Sequence, residues 1–250
     1  MKKSIIILGI ITLCVSHSFA QVETNKFDAR GNREGSWEEI GEKGVSSKGW
    51  YKEGKKTGAW ATFLPSGKIE KIESYVDGKK NGIFLLFDNN GYPAEINYYK
   101  DDLLSGICSK YQSNRITSEI SYVNGKEHGM KRLYYMDGKK QEETYSVDGL
   151  KEGVARWYNQ EEKIIAEFNY SKGNLDGEQK TFHPSGAIRT KELYNNGKQT
   201  GEHLEYFEDG TTIKLKGSFD KNGQKEGDWI EFDQTGKKIK TEKYKAGTLQ

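Results

Sequence analysis

The sequence has little that would tie the protein to a membrane, to nucleic acid or to a disulfide framework. After residue 20, no stretch approaches the ~20 consecutive apolar residues of a membrane-spanning helix. Lysine and arginine total 39 and aspartate and glutamate total 37, so bulk charge favours neither nucleic acid nor an anionic membrane. Only two cysteines are present, and the 29 glycines form no Gly-X-Y run, which excludes collagen. We expect no nucleic-acid partner and no integral membrane segment after residue 20.

The N-terminus has the pattern of a secretory signal peptide. Two lysines precede an apolar run over residues 5–15, and a small-x-small pattern ends at Ala20. We expect cleavage after Ala20 and export to a periplasmic, outer-surface or secreted location. Removal of residues 1–20 leaves 37 basic and 37 acidic residues, with Cys108 as the remaining cysteine. A single cysteine forms no internal disulfide, so we expect Cys108 to be a packed residue.

Motifs of catalytic and metal-binding chemistry are missing. The sequence has no HExxH, CxxC, G-x-S-x-G or GxxxxGK[ST] pattern, and so no signal for zinc, a serine nucleophile or a phosphate-binding loop. We expect His128, His183 and His203 to be surface or turn residues. Paired acids such as Glu38-Glu39 point to opposite faces of a strand, unlike the facing carboxylates of a glycosidase. We expect no enzymatic activity, no cofactor and no metal.

Glycine spacing is the most regular feature of the chain. Nine glycines, here named the repeat glycines, recur at intervals of 23 to 26 residues: Gly35, Gly58, Gly82, Gly106, Gly129, Gly153, Gly177, Gly201 and Gly227. Two further series keep phase with them, nine residues later and four residues earlier, as Gly67 and Gly54 do for Gly58. After residue 20, only Gly41, Gly49 and Gly217 fall outside the three series. Glycines in fixed phase indicate positive φ or close approach of two chains.

Two strand-length runs separate these turn signals in each repeat. The first is about five residues, as in 59–63, and the second is about eight, as in 115–122, with loops such as LPSG at 64–67 between them. The second runs alternate apolar and polar residues, which is typical of a strand with one buried face. Each repeat is predicted to be a β-hairpin, joined to the next by a Gly-x-x-x-Gly turn such as 54–58.

Aromatic residues recur at two positions that we expect to form the core. Five residues after the repeat glycine stand Ile40 and then Phe63, Phe87, Tyr111, Tyr134, Tyr158, Phe182, Tyr206 and Phe232. Three or four residues before the next turn glycine stand Tyr51, Tyr75, Tyr99, Tyr122, Tyr145, Tyr170, Tyr194, Phe219 and Tyr244. A partial row two residues after the repeat glycine adds Trp37, Trp60, Phe84 and Trp229. Trp60 and Phe63 have odd spacing, so they face opposite sides unless a bulge or an early turn intervenes.

These features predict an all-β fold of about nine tandem β-hairpins, each of ~24 residues, in one long, twisted antiparallel meander ribbon. Eighteen strands would extend over roughly 85 Å, and a sheet of that width must twist or curve strongly. A closed barrel or propeller is less favoured, because propeller blades need about 40 residues. The predicted organisation is a signal peptide over 1–20, a lead-in over 21–34 and the repeat array over 35–250.

The pattern G-x-W-x-x-[YF]-x-x-x-G, followed by a strand and Y-x-x-G-x-x-x-G, resembles the MORN repeat variant. Tandem copies are similar to the YwqK-type family, whose members are labelled antitoxins. Residues 58–67 with 75–82 match best, and the pattern recurs nine times over 31–247. Five middle repeats depart from it, with Cys108, Lys131, Ala155, Gln179 and His203 in place of the tryptophan. The resemblance implies a binding or assembly surface, with lipid binding proposed for some arrays, or neutralisation of a toxin.

Three functions remain open on sequence alone. The favoured one is an exported, non-catalytic scaffold that binds an unknown protein partner along the ribbon, since repeat arrays offer extended surfaces. The second is a glycan or cell-wall binding module, which requires aromatics outside the core rows to be exposed on one face. The candidates for that role are Trp50, Tyr92, Tyr98 and Tyr135. The third is the toxin-neutralising role that the resemblance implies.

Overall fold

All the strands that the structure describes pair into one antiparallel sheet. The computed structural model describes residues 23–42 and 44–250, in which no helix occurs, so the predicted signal peptide over 1–20 lies outside the described residues. The strands are β1 Lys26–Phe27, β2 Arg33–Gly41, β3 Gly44–Lys52, β4 Lys55–Phe63, β5 Ile69–Val76, β6 Lys79–Phe87, β7 Pro93–Lys100, β8 Leu103–Leu104, β9 Gly106–Gln112, β10 Arg115–Val123, β11 Lys126–Tyr134, β12 Lys140–Val147, β13 Leu150–Lys151, β14 Gly153–Tyr158, β15 Ile164–Ser171, β16 Asn174–Leu175, β17 Gly177–Phe182, β18 Ile188–Asn195, β19 Lys198–Tyr206, β20 Ile213–Phe219, β21 Lys225–Phe232, β22 Lys238–Lys245 and β23 Thr248–Leu249.

The strands pair in the order in which they follow along the chain, from β1 with β2 to β22 with β23. Where β8, β13 and β16 precede β9, β14 and β17, both members of each couple pair with the same preceding strand. The predicted all-β ribbon of tandem hairpins is confirmed. Eighteen strands remain, as predicted, when the five two-residue strands are set aside. β1 and part of β2 lie within the predicted lead-in, and that boundary stays a prediction.

Every hairpin contains a β-bulge just before its loop. Between β4 and β5, Thr62 lies opposite Lys71 but Phe63 lies opposite Ile69, so Glu70 is the extra residue. The same shift occurs in all nine hairpins, at the position five residues after the repeat glycine. Because the extra residue lies in the second strand, the first strand keeps its alternation, and Trp60 and Phe63 face opposite sides of the sheet.

The connections between hairpins are shorter than the predicted Gly-x-x-x-Gly turns. Seven of the eight consist of two residues that both have positive φ, such as Glu53 at 51° and Gly54 at 78°. These are the angles of a type I′ turn, whose twist matches that of the flanking strands. The strand then resumes, and the repeat glycine forms a second bulge within it, with φ between 65° and 113° in the nine repeats. The prediction of one five-residue turn is therefore wrong, because a dipeptide is sufficient, and it ends in glycine in six of the seven and in Asp102 in the other.

The single-layered sheet has two faces, distinguished by alternation along each strand. The second and fourth residues after each repeat glycine lie on the tryptophan face, which we name for Trp37, Trp60 and Trp229. The first and third residues lie on the ion-pair face, which we name for cross-strand pairs such as Arg132 with Glu143. No second layer covers either face within the described residues.

Candidate functional site

The tryptophan face is built around the position two residues after the repeat glycine. Eight of the nine residues at this position are buried: Trp37, Trp60, Phe84, Cys108, Ala155, Gln179, His203 and Trp229. Trp60 retains only 1% of its surface exposed, and the ninth residue, Lys131, is partly buried. The row that sequence showed as a partial aromatic row is thus the most buried of the three. Its middle members do not break the core, because the strand centre is covered by both neighbouring strands whatever the side chain.

Aromatic rings of successive strands form a column on this face. Tyr51 lies between Trp37 and Trp60, at ring-centroid distances of 5.5 and 5.0 Å and with edge-to-face geometry. Further along, Phe84 contacts Tyr75 at 5.8 Å and Tyr99 at 4.6 Å. Such pairs contribute about 0.5–1.5 kcal/mol beyond their buried area. In a sheet of one layer, these contacts between neighbouring hairpins take the place of a second sheet.

A cation covers the rings in five of the nine repeats. It stands two residues before the repeat glycine: Arg33, Lys56, Lys80, Lys151 and Lys225. The Lys56 ammonium lies 4.0 Å from the centre of the Trp60 ring, and that of Lys225 lies 4.1 Å from Trp229. The repeats whose central residue is Cys108, Lys131, Gln179 or His203 have no cation at this position. Four of these cations lie over the aromatic central residue of their repeat, and Lys151, whose central residue is Ala155, lies over Trp157 and Tyr170 instead. Each contact contributes about 0.5–1 kcal/mol when exposed.

Gly49 and Gly217, which fall outside the glycine series, lie directly beneath indole rings. A Cβ on Gly49 would come within 2.1 Å of Trp60 Cδ2, and one on Gly217 within 2.3 Å of Trp229 Cδ2. Neither has positive φ, so the requirement for glycine is one of space. Sequence reasoning missed their role. The available signal was an off-phase glycine 11 or 12 residues before a tryptophan.

Tyr145 does not belong to the aromatic row in which sequence placed it. Thr144 lies opposite Lys131 on the tryptophan face, so Tyr145, opposite Met130, lies on the ion-pair face and is 40% exposed. Ser146, 3% exposed, takes the buried place instead. Tyr145 stands one residue earlier relative to its turn glycine than Tyr170 does, and one step along a strand exchanges the faces. Tyr51 is buried and the other members of that row are partly buried.

On the ion-pair face, opposite charges alternate across the central strands. Arg132 Nε contacts Glu143 Oε1 at 3.2 Å, and Arg156 Nε contacts Glu167 Oε1 at 2.7 Å. Tyr158, five residues after its repeat glycine, donates to Glu143 at 2.9 Å. Burial and this hydrogen bond raise the pKa of Tyr158 to about 12. Burial opposes ionisation of Glu143, but hydrogen bonds from Tyr158, Lys140 and Arg132 outweigh it and lower the pKa of Glu143.

The first aromatic row therefore lies on the ion-pair face, opposite the tryptophans. Tyr134 repeats the Tyr158 arrangement and donates to Glu119 at 2.7 Å. Tyr158 is buried, whereas Phe63, Phe87, Tyr111, Tyr134, Phe182, Tyr206 and Phe232 are partly buried and Ile40 is exposed.

Beside this charge row runs a stripe of seven apolar side chains, of which five are exposed and two, Ile83 and Met130, are partly buried. The residue after each repeat glycine lies directly opposite one residue of the next strand, as Ile83 does Tyr98. We define the exposed stripe as Trp50, Ile83, Tyr98, Ile107, Met130, Tyr145 and Val154. Trp50 is 51%, Tyr98 40% and Ile107 53% exposed. This row contains no charged residue from Trp50 to Asn169, because its other members are alanine, serine and asparagine.

Of the three histidines after residue 20, His203 is buried, contrary to expectation, and His183 is buried within the hairpin loop where it was expected. His203 occupies the central row of the tryptophan face, where its ring stacks on Trp229 at 5.4 Å. Its Nδ1 lies 3.3 Å from Glu192 and its Nε2 lies 3.5 Å from Glu205. Burial disfavours the charged ring, but the two carboxylates outweigh burial and raise the pKa of His203. His183 is buried at a hairpin loop, 3.1 Å from the carbonyl oxygen of Tyr206.

The described residues contain no metal-binding cluster, and their cysteine is buried. In 23–42 and 44–250, no group of three or more His, Cys, Asp or Glu side chains is placed to hold a metal ion. Cys108 is buried, and burial raises the pKa of its thiol, which favours the unreactive protonated form. The same ranges contain no helix long and apolar enough to cross a membrane. A cleft of about 480 Å³ lies at the loop ends of two hairpins, around Val45, Phe63 and Pro65.

Comparison with known proteins identifies one of the repeats directly. No curated protein matches the chain. Residues 175–196, which contain β17 and β18 and the repeat glycine Gly177, match the family model of the MORN repeat variant. The hairpin in this segment has the bulge and the positive-φ repeat glycine of the other eight, so the matched segment has the same backbone geometry as the rest of the array.

Proposed function

We propose that the protein is an exported, non-catalytic scaffold that binds a protein partner through the exposed stripe. The observation that carries the proposal is a charge-free row of large apolar side chains on an uncovered sheet face. Contiguous exposed apolar patches mark interaction sites on soluble proteins. Interface cores are enriched in Trp, Tyr and Met and depleted in charge, as this row is. The MORN-type repeat supports a binding module, and the signal-peptide pattern supports export.

The test is recovery of partners with and without an intact stripe. The tagged protein and its Ile107→Lys variant are each produced in cells that also make the untagged chain, and bound proteins are quantified from envelope and culture fractions. Ile239→Lys is the matched control, because Ile239 is 58% exposed in the last hairpin, outside the stripe. We expect at least one protein to bind the wild type and the control but not Ile107→Lys. Recovery of nothing above background, the untagged chain included, would rule out the proposal.

Glycan binding is the second candidate, and one observation favours it. Trp50, Tyr98 and Tyr145 are exposed on the same face and lie outside the buried row, as a surface for stacking on sugars requires. Tyr92 and Tyr135 lie in hairpin loops and do not extend this surface. Co-sedimentation with insoluble cell-wall polysaccharide tests this function. Loss of sedimentation in Trp50→Ala would support it, whereas a wild-type protein that stays in solution would exclude it.

A toxin-neutralising role, suggested by the resemblance to YwqK-type proteins, differs only in the partner. Co-expression with a toxic product of an adjacent gene tests it, with cell survival as the measurement. Toxicity that the chain does not relieve would exclude this role and leave the binding proposal intact.

A further inference from the structure

We propose that the exposed stripe docks against the same stripe of a second copy of this chain, around a twofold axis that runs along β9. This inference rests on the proposed function, since it names the partner of the same surface. The two sheets would pack face to face, with the stripes as the buried centre and the charge rows as the polar rim.

The first ground is an alternation that extends over two repeats. The residue that follows each repeat glycine lies opposite one residue of the next strand. From repeat to repeat, these opposite residues alternate between large and small side chains. The large ones are Trp50, Tyr98, Tyr145 and Leu193. The small polar ones between them are Ser74, Ser121, Asn169 and Ser218. Successive large residues lie four strands apart, which is about 19 Å. A single repeat unit needs no such alternation, so it is a property of the surface.

The second ground is that this alternation is complementary to itself. Rotation about an axis along β9 brings strands at equal distance on either side of β9 face to face. Tyr98, one strand before β9, then faces Ser121 of the second copy, one strand after it. Tyr145 likewise faces Ser74, three strands away, and Trp50 faces Asn169, five strands away. Facing layers pack well when large side chains meet small ones, and each contact occurs twice, as an isologous interface requires.

The third ground is the absence of charge at the centre of the proposed contact. Ile107, the most exposed residue of the stripe, lies on the axis and meets its own copy. On either side, Ile83 faces Met130 of the second copy. The neighbouring charges on this face, such as Arg132 with Glu143 and Arg156 with Glu167, are already paired within one chain. Docking therefore leaves no charge of the stripe buried without a partner.

A second copy also fits the dimensions of the stripe better than an unrelated protein does. A partner must present features at about 19 Å spacing to use more than one of the large residues, and an identical ribbon has that spacing by construction. The stripe from Trp50 to Tyr145 extends over eight strand spacings, or about 38 Å. It includes Ile83, Tyr98 and Ile107 on three successive paired strands, and Met130 follows after Ser121. A copy can cover this charge-free row along its whole length.

Sedimentation velocity over a range of concentrations tests the proposal on residues 21–250. We expect the wild type and Ile239→Lys to form a dimer, and Ile107→Lys to weaken association about tenfold or more, as interface hot spots do. Far-UV circular dichroism and thermal unfolding check that Ile107→Lys remains folded. A monomeric wild type at all concentrations, or an Ile107→Lys dimer as tight as the wild type, would overturn the proposal.

Chemical cross-linking tests the position of the axis. In a Cys108→Ser background, Ile107→Cys is expected to be linked into a dimer by a short bismaleimide, because a residue on a twofold axis faces itself across about 10 Å between the packed sheets. Ile239→Cys in the same background is the control and should remain monomeric in denaturing electrophoresis. Equal cross-linking of both variants would show that the contact is not specific and would overturn the proposal. A monomeric protein whose stripe captures a different protein would also overturn it but would leave the proposed scaffold function standing.

Discussion

At the residue scale, the space above the backbone restricts which residue can replace a glycine as strongly as the backbone conformation does. Gly49 and Gly217 have ordinary φ, yet an indole ring occupies the volume of their missing Cβ. All the other glycines that the structure describes, except Gly41, have positive φ, and some of them, such as Gly67, also have open surroundings. The two kinds of glycine respond differently to substitution by alanine, which allows space and conformation to be separated by experiment.

We expect Gly49→Ala to destabilise the protein by about 2–3 kcal/mol, because a Cβ would overlap the Trp60 ring. Gly67→Ala should cost only about 1 kcal/mol, the penalty of a left-handed alanine. The measurement is urea unfolding followed by circular dichroism. In a Trp60→Ala background the ring is absent, and the cost of Gly49→Ala should fall below about 0.5 kcal/mol. Equal costs of Gly49→Ala in the two backgrounds would contradict a steric role of Trp60.

Glu162 occupies a turn position where seven of the other eight hairpins have glycine, and its φ is 60°. A left-handed L-residue costs roughly 1–2 kcal/mol, and glycine adds about 0.4–1 kcal/mol of entropy to the unfolded chain. We expect Glu162→Gly to stabilise the protein by about 0.5–1 kcal/mol in urea unfolding. Gly138 occupies the equivalent position one repeat earlier, with φ of 90°, and Gly138→Glu should destabilise the protein. A Glu162→Gly variant less stable than the wild type would contradict this assignment of strain.

The carboxylates beside His203 make local stability depend on pH. The pKa of His203 is raised above its ordinary value of 6.5, so its contribution is full below pH 6.5 and is lost as pH rises through the folded-state pKa. The hydrogen bond from His203 lowers the pKa of Glu192 below its ordinary 4.5. That contribution is full above pH 4.5 and is lost as pH falls through the lowered pKa. Amide exchange of β18 and β19 should therefore be slowest between pH 4.5 and 6.5, after correction for intrinsic exchange.

His203→Gln is the matched control, since Gln179 occupies the equivalent buried position one repeat earlier, also opposite Glu192. We expect it to remain folded and to lose the decrease in protection above pH 6.5. Retention of the same decrease would assign the pH dependence to other groups.

At the element scale, strand register decides what each side chain does. Tyr145 and Tyr170 stand in one row by sequence, but a one-residue difference places them on opposite faces. Tyr170 is partly buried on the tryptophan face, with the Lys151 ammonium 5.0 Å from its ring. Tyr145 is exposed in the stripe.

We expect Tyr170→Ala to cost about 2–4 kcal/mol, because it removes a partly buried ring from the tryptophan face of its hairpin. Tyr145→Ala should cost less than about 1 kcal/mol in the monomer, as most surface changes do. Urea unfolding at a concentration below that of self-association measures both. Equal costs would show that Tyr145 is part of the core, as its sequence position had suggested.

Glycine phase and aromatic spacing were sufficient to predict the hairpins, their number and the meander, because turn chemistry is local. They could not predict the faces. A face assignment depends on parity, and each repeat contains two bulges whose extra residues are set by pairing with a neighbouring strand. The burial of Gln179 and His203 was missed for the same reason: the position is buried by its neighbours, and residue type gave no signal. The exposed stripe could not be predicted either, because only the pairing of Tyr145 with Met130 places Tyr145 on the ion-pair face.

At the scale of the whole molecule, the array is a linear series of strands whose two edges are protected from pairing with further strands. Each long strand pairs only with its neighbours, so stability should be close to a sum over repeats and their interfaces. At one end β1 covers part of β2, and Asn25 accepts from the backbone N–H of Glu38 at 2.7 Å. At the other, β22 carries four lysines, which discourage the addition of further strands. Growth at the edges is thus hindered, and the exposed stripe on the ion-pair face remains for association.

Removal of whole repeats separates folding from association. Deletion of 154–177 joins Gly153 to Glu178 and removes one repeat, whereas deletion of 154–201 joins Gly153 to Glu202 and removes two. Both variants should fold with β-type circular dichroism, because every new junction repeats an existing one. Both deletions place a glutamate after Gly153, so the two variants match at that position. They differ in the residue that would face Trp50 of a second copy. That residue is Leu193 in the shorter deletion and Ser218 in the longer one. Two large side chains then oppose each other only in the one-repeat deletion.

We therefore expect the two-repeat deletion to dimerise like the full array in sedimentation velocity, and the one-repeat deletion to associate about tenfold more weakly. A dimer of equal strength in both would show that association does not depend on the alternation of large and small residues. Failure of either variant to fold would show instead that the repeats depend on more than their nearest neighbours.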